Sequence, residues 1–413
     1  MVQANSPVGR LFGLDREKKI SDSGVRNVFT PHQPISEIDL LFGRQAEVKK
    51  LVETLNTPGQ HVLLYGERGV GKSSLANVVS ILLRSVLEVP IYVKRCDQSD
   101  TFESIVQQPL AAVGADLTLT SVDAQSNTKV GAGVKVLSAE KAKSIVSTYQ
   151  AHRTLSPSTV ADAIADLEGL LVVDETDAVG NAQDRRKIAE LIKLLSDSGS
   201  KFKVMVVGIA NTGDELTAAH PSVQRCLRET KLDRMSDSEL REIVENGAKS
   251  TGLTFSAKAV SSIVRLSAGY PHFTHLMALK CAEEAVAEDR VNVDEPHLIE
   301  ALTAAVKDAE GTLKRQFDDA TRSYGTEMYT HIIIAASSLS GEEFNAAAVR
   351  EAIEIQTGVA ISQGSLNNFF KRLVSDDGST ILQRRAKGVY RFSDPRMASY
   401  ARMCAAVPAS HTA

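Results

Sequence analysis

Residues 66–73 read Gly-Glu-Arg-Gly-Val-Gly-Lys-Ser and fit G-x-x-x-x-G-K-[ST] at every specified position. The apolar run Val62-Leu63-Leu64-Tyr65 precedes this octet, and Ser74-Leu75-Ala76-Asn77-Val78-Val79 follows with apolar spacing that starts a helix. Strand, glycine loop and helix in that order confine the chain to an α/β fold. They also turn main-chain N–H groups and a helix N-terminus onto a polyphosphate. Gly66, Glu67, Arg68, Gly69, Val70 and Gly71 would form the cradle, with Ser74 at its helical edge. Lys72 would reach the β- and γ-phosphates, and the Ser73 hydroxyl would ligate Mg²⁺. The competing reading is a glycine-rich turn with a lysine facing water; the flanking strand and helix favour the cradle.

A chain of 413 residues exceeds what one hydrophobic core usually organises, so two or three domains are expected. The formal charge of −4, from 47 basic and 51 acidic residues, excludes a protein that coats nucleic acid by bulk charge. Any DNA contact must come from a local patch. Cys96, Cys226, Cys281 and Cys404 form no C-x-x-C pair, which suits a reduced, cytoplasmic chain. Neither a signal-peptide core nor an apolar run of membrane-spanning length is found, so no membrane partner is expected.

Residues 1–36 read as a loose N-terminal extension broken by Pro31 and Pro34. An α/β domain follows over 37–235, with buried strands expected at Val62–Tyr65, Ile91–Lys94, Leu170–Val173 and Val204–Ile209, and a last strand at Lys231–Met235. Such alternation predicts a parallel sheet with helices on both faces. Alternating residues within 115–137 suggest an inserted hairpin, on which Lys129 and Lys135 would face DNA or a partner protein.

From Ser236-Asp237-Ser238-Glu239, a capping box, the pattern becomes helical to about 322, with stretches near 256–268, 271–288 and 295–321. Residues 323–413 predict three short helices and a hairpin turning at Lys387-Gly388, the winged-helix arrangement.

Leu170-Leu171-Val172-Val173-Asp174-Glu175 is a buried strand that must deliver two carboxylates at the sheet edge. Asp174 there would hold Mg²⁺ through its water shell, and Glu175 would orient and deprotonate an attacking water. The competing reading is an acidic turn, but the adjacent pair together with the loop at 66–73 favours hydrolysis of a nucleoside triphosphate and not only its binding. Asn211, closing the apolar strand from Val204, would bridge water and γ-phosphate or simply form the turn. Arg225 and Arg228 lie beyond it; either would serve as a surface residue or reach a neighbouring subunit's γ-phosphate, with Arg225 the first choice.

Together with Phe42-Gly43-Arg44, the helical region and the C-terminal module, these residues resemble AAA+ P-loop ATPases of the origin-recognition initiator type. They also resemble the related STAND signalling ATPases, in which Gly269-Tyr270-Pro271 would be the G-x-P turn of the lid. The resemblance covers about residues 37–400. It implies a P-loop NTPase sheet, a helical lid and a winged helix, with Phe42, Gly43 and Arg44 bordering the adenine and Asn211 as first sensor. It further implies a homo-oligomer with ATP at the subunit boundary and slow turnover without a partner. Similar initiators carry an arginine early in the third lid helix; here His272 takes that region, with His275 one turn later. Both histidines would be surface residues, or His272 a weaker, pH-dependent cation toward the nucleotide.

Between Lys371 and Arg402, eight basic residues against three acidic ones give +5 in an acidic chain. Gln363, Ser365, Asn367, Asn368, Lys371 and Arg372 would enter a major groove, while Arg384, Arg385 and Lys387 on the wing would hold phosphates. Two functions follow as expectations. In the first, nucleotide state controls assembly on double-stranded DNA through the winged helix. In the second, a STAND-like signalling or defence switch, or a nucleotide-gated scaffold recruiting an effector protein, uses that module for protein contacts.

Overall fold

A computed structural model describes residues 13–35, 37–117, 138–209, 221–309, 311–323, 325–339, 341–374 and 380–407. Two compact units emerge. One comprises Pro34–Glu67 and Gly71–Asp233; the other comprises the residues up to Gln33, Arg68–Val70 and everything from Arg234 onward.

The first unit is built on five parallel strands: β1 (His61–Gly66), β2 (Ile91–Arg95), β3 (Gly169–Asp174), β4 (Phe202–Gly208) and β5 (Leu227–Leu232). Their order is β2-β3-β4-β1-β5. The three inner strands are almost continuous aliphatic runs because helices cover both faces. Leu63, Leu171, Val173, Val204 and Val206 are buried with Phe102, Ile105, Leu110, Ile188, Leu191 and Leu195 from the covering helices. Each such side chain contributes about 1.5–3 kcal/mol by leaving water. The sheet is therefore a rigid platform, and β1, β3 and β4 deliver their last residues at the same edge.

The last strand corrects the sequence reading. It starts at Leu227 and stops at Leu232, paired with β1 from His61↔Leu227 to Gly66↔Leu232. As an edge strand it buries only Leu227, Thr230 and Leu232 and exposes Arg228, Glu229 and Lys231, so no apolar run marked it. The hairpin expected at 115–137 lies outside the described residues from 118 onward.

In the second unit the helix Asp237–Thr251 opens with the expected capping box. The Ser236 hydroxyl accepts from Glu239 N–H, and the Glu239 carboxylate accepts from Ser236 N–H at 2.6 Å. The helix Pro271–Ala287 is apolar on nearly every face, including Phe273, Leu276, Met277 and Cys281, so it forms the centre of the bundle. The stretch expected at 295–321 is two helices, Glu295–Asp308 and Gly311–Thr321; Ala309 is extended and ends the first.

Residues 1–36 are not simply a loose extension. Leu14–Ser23 and Val25–Val28 are helical, and Ile20, Val25 and Phe29 are fully buried against the bundle. The Phe29 ring lies over Gly247, where an added Cβ would fall 2.4 Å from a ring atom. Arg16, Lys19 and Arg26 pair at 2.6 Å with Glu284, Asp289 and Glu283. Of the five apolar residues in this polar stretch only Ile20, Val25 and Phe29 are buried, and their spacing makes too weak a period to read as helix.

At the C-terminus lie helices Met328–Ser338, Ala346–Thr357 and Gln363–Val374, and an antiparallel sheet of β6 (Glu343–Asn345), β7 (Leu382–Ala386) and β8 (Val389–Phe392) in the order β6-β8-β7. The hairpin turns at Lys387-Gly388, with Gly388 left-handed (φ 77°). A further helix, Met397–Ala406, went unrecognised in the sequence. It joins this module to the bundle: the Ser399 hydroxyl donates to Ser267 O at 2.5 Å, and Arg402 donates to Ser337 O and Arg265 O.

Candidate nucleotide site

The loop after β1 is shaped by two backbone requirements. A Cβ on Gly66 would fall 2.3 Å from Leu232 O on β5, so no other residue fits the end of β1 as it stands. Gly71 is left-handed (φ 95°) and starts the helix Lys72–Leu87. Having no side chain at its N-cap and no acid in its first turn, that helix leaves its first N–H groups for an anion. Lys72 folds back over the loop, its Nζ donating to Gly66 O at 3.1 Å and Glu67 O at 2.7 Å. The ammonium is thus held by carbonyls of its own loop. The Ser74 hydroxyl is engaged elsewhere, accepting from Ile35 N–H at 3.1 Å.

Asp174 closes β3 with only 6 % of its surface exposed, and its carboxylate accepts from Glu175 N–H at 2.9 Å. Glu175 is exposed and left-handed (φ 56°, ψ 40°), a conformation that costs a non-glycine residue about 1 kcal/mol. Such strain persists where neighbours over-determine it. Here Thr176, fully buried, donates its hydroxyl to Val173 O at 3.0 Å, and Ala178 N–H donates to Glu175 O at 2.8 Å. The short turn Thr176–Ala178 was not anticipated, although a small hydroxyl residue after two acids is the kind of signal that marks it.

Other expected residues have separate environments. Arg44 is buried, pairs with Glu47 at 2.8 Å and donates to Asp233 O at 2.6 Å. Phe42 and Gly43, just before it, are half-buried. Arg225 ends a short helical turn and pairs with Asp197 on the exposed surface; Arg228 points out from β5. Asn211 lies outside the described residues.

His272 and His275 are not merely surface residues of their helix. The Nδ1 of His272 lies 2.8 Å from Pro31 O, which can only accept, so that nitrogen carries the proton. His275 is buried, its Nδ1 accepting from Thr30 N–H at 3.2 Å, and burial pushes its pKa down to about 4. Both rings hold the N-terminal segment on the bundle.

The C-terminal basic residues divide into two groups. Lys371, Arg384, Arg385 and Lys387 are exposed, as are Gln363, Ser365, Asn367 and Asn368. Arg372 instead stacks over Tyr329 at 4.4 Å and donates to Arg322 O. Arg396 is buried against Asp394, and Arg402 is spent on backbone carbonyls. The local +5 charge is thus only partly a surface feature.

No helix among the described residues is long and apolar enough to cross a membrane. All four cysteines are free thiols. The Walker-type ATPase PABY2304 of Pyrococcus abyssi shares this fold, at 17 % identity and a TM-score of 0.53 over 91 % of this chain and 99 % of that one. So does the Aeropyrum pernix ORC2 protein, solved in ADPNP–ADP complexes, at 15 % identity and a TM-score of 0.50 over 92 % and 96 %. No curated protein matched the chain. The family described as novel STAND NTPase 1 matches residues 33–323, more than half of the sequence. By that match and by its phosphate loop and sheet order, the chain belongs to the novel STAND NTPase 1 family of P-loop ATPases.

Proposed function

We propose that this protein is an ATP-hydrolysing nucleotide switch of the STAND type. The carrying observation is the pairing of a phosphate-loop lysine curled over its own loop with a strained glutamate just beyond β3. ATP is the proposed nucleotide, with Mg²⁺ as its counter-ion. Ser73 and Asp174 offer hard oxygen donors of the kind Mg²⁺ takes. No group of three or more metal-ligating side chains occurs among the described residues, so phosphate oxygens and water would complete the shell. When bound, the metal would offset charge on the β- and γ-phosphates.

This chain's own residues do the rest. Main-chain N–H groups from Gly66 to Ser73 hold the phosphates, and Lys72 exchanges its loop carbonyls for phosphate oxygens. Glu175 orients a water and takes its proton as the oxygen attacks phosphorus. Phe42, Gly43 and Arg44 border the adenine, Asn211 senses the γ-phosphate, and His272 stands where similar initiators carry an arginine. Arg225 reaches a neighbouring subunit's γ-phosphate in trans. Leaving Asp197 costs it little, because exposed ion pairs contribute about 0–1 kcal/mol.

In the division proposed, 37–235 is the ATPase domain, 236–322 the lid and 323–413 a winged helix. The switch reading is favoured because that last module is fastened to the bundle through Ser399 and Arg402, which suits a part that moves with the lid. A second reading, nucleotide-controlled assembly on duplex DNA, is supported by the exposed Lys371, Arg384, Arg385 and Lys387.

The test is Glu175→Gln in the full chain. ATP affinity is expected to stay within threefold while turnover falls at least a hundredfold; wild-type turnover would remove Glu175 from the mechanism. Duplex binding at two salt concentrations separates the readings. Salt-sensitive binding lost in an Arg384→Ala/Arg385→Ala variant supports DNA assembly, and no binding at low salt supports the switch.

A further inference from the structure

We propose that Asp177 is a positioning residue, whose carboxylate clamps the turn carrying Glu175 to the end of β4. The inference rests on the ATPase reading above and names a residue to which that reading gives no role.

β3 and β4 pair in register as far as Val173↔Val206, and β1 and β4 as far as Tyr65↔Gly208. Ile209 is the first residue past β4, and its N–H goes to a side chain instead: Asp177 Oδ1 accepts it at 3.2 Å. A carboxylate accepting a main-chain N–H makes a stronger bond than a neutral pair. The coupling between β3 and β4 thus runs one link past the sheet, from β4 into the turn Thr176–Ala178.

That turn has few alternatives. Its first peptide follows Glu175, held left-handed, and its interior is fixed by Thr176 on Val173 O and by Val179 N–H on Thr176 O at 3.3 Å. These bonds tie the turn to β3 alone. Asp177 supplies a tie in the perpendicular direction, to the neighbouring strand. Without it the turn pivots about the end of β3, and the Glu175 carboxylate moves with it. A general base is sensitive to such movement, since about 1 Å of misplacement can cost a hundredfold in rate. Asp177 and Ile209 are both solvent-exposed, which weakens the bond, so a smaller effect is expected.

The experiment uses the full chain with MgATP. Asp177→Ala should lower kcat about tenfold with KM within twofold and nucleotide affinity unchanged. Asp177→Asn keeps an oxygen acceptor and should recover kcat to within about threefold of wild type. Ile209→Pro deletes the donor and should reproduce the alanine effect; combined with Asp177→Ala it should add nothing, as partners in one interaction do. Hydrogen exchange in the peptide ending at residue 209 should quicken in Asp177→Ala. An alanine variant within twofold of wild-type kcat, or an asparagine variant as slow as alanine, overturns the proposal. So does a fall in melting temperature with kcat preserved, the mark of a purely structural bond. If the alanine variant does not fold, the asparagine and Ile209→Pro variants decide. Glu175→Gln is the control: inactive beside a fully active Asp177→Ala, it leaves the ATPase reading standing and this inference refuted. At wild-type rate, it refutes both.

Discussion

Replacing Gly66 by alanine tests whether the end of β1 is what shapes the phosphate cradle. The new Cβ would stand 2.3 Å from Leu232 O, whereas real Cβ contacts essentially never fall under 3.0 Å. The two must part by at least 0.7 Å to reach that limit. Leu232 is the last β5 residue paired with β1 and its carbonyl belongs to a backbone, so no side-chain rotation relieves the clash. Either the final β1–β5 pair opens, losing about 1 kcal/mol, or the loop shifts as a body. A shift of that size misaligns main-chain donors from a bound phosphate, and each charge-assisted bond lost is worth about 1.5–3 kcal/mol. One lost donor therefore raises the ATP Kd by about 10- to 150-fold. Titration of a fluorescent ATP analogue measures it, with circular dichroism confirming that the sheet remains. Gly199→Ala is the control: that residue is left-handed (φ 67°), and nothing lies within 4 Å of its Cβ position. It should lose about 1 kcal/mol of stability without altering Kd. A Gly66→Ala protein that binds ATP within twofold of wild type would refute the reasoning.

Phe29→Ala should destabilise the second unit by about 3–5 kcal/mol in a denaturant titration, and adding Gly247→Ala should recover part of this by filling the vacated space. The His275 pKa, lowered to about 4 by burial and by its neighbour His272, makes that unit acid-sensitive. The unfolded imidazole protonates near 6.5 while the folded ring stays neutral, so stability is full above about 6.5 and drains as pH falls toward 4. The loss is about 2 kcal/mol at pH 5, and a His275→Asn variant should show that much less acid sensitivity in denaturant midpoints at pH 7.5 and 5. If the hairpin that turns at Lys387-Gly388 meets duplex DNA, Arg384→Ala or Lys387→Ala should each reduce the log–log salt slope of binding by about 0.9. Arg372→Ala should leave that slope unchanged and lower stability instead, because its guanidinium is committed to Tyr329 and Arg322 O.

The sequence by itself determined the ATPase platform. The aliphatic runs at β1, β3 and β4 can only be inner strands of a covered parallel sheet, and the motif at 66–73 and the pair Asp174-Glu175 are legible in local order at their ends. Local patterns also gave the capping box at Ser236 and the hairpin turn at Lys387-Gly388. Only the tertiary structure decided which charges are exposed and which polar stretches are anchored. Arg372, Arg396 and Arg402 look like Lys371 and Arg384 in sequence, yet their partners are distant in the chain or buried. Residues 14–31 read as an extension because their scattered apolar side chains make no helical period, and their burial depends on Gly247, His272 and His275, more than 200 residues away. Edge strand β5 was misplaced for the same physical reason: half its surface faces water, so its composition obeys the solvent on one side and the sheet on the other.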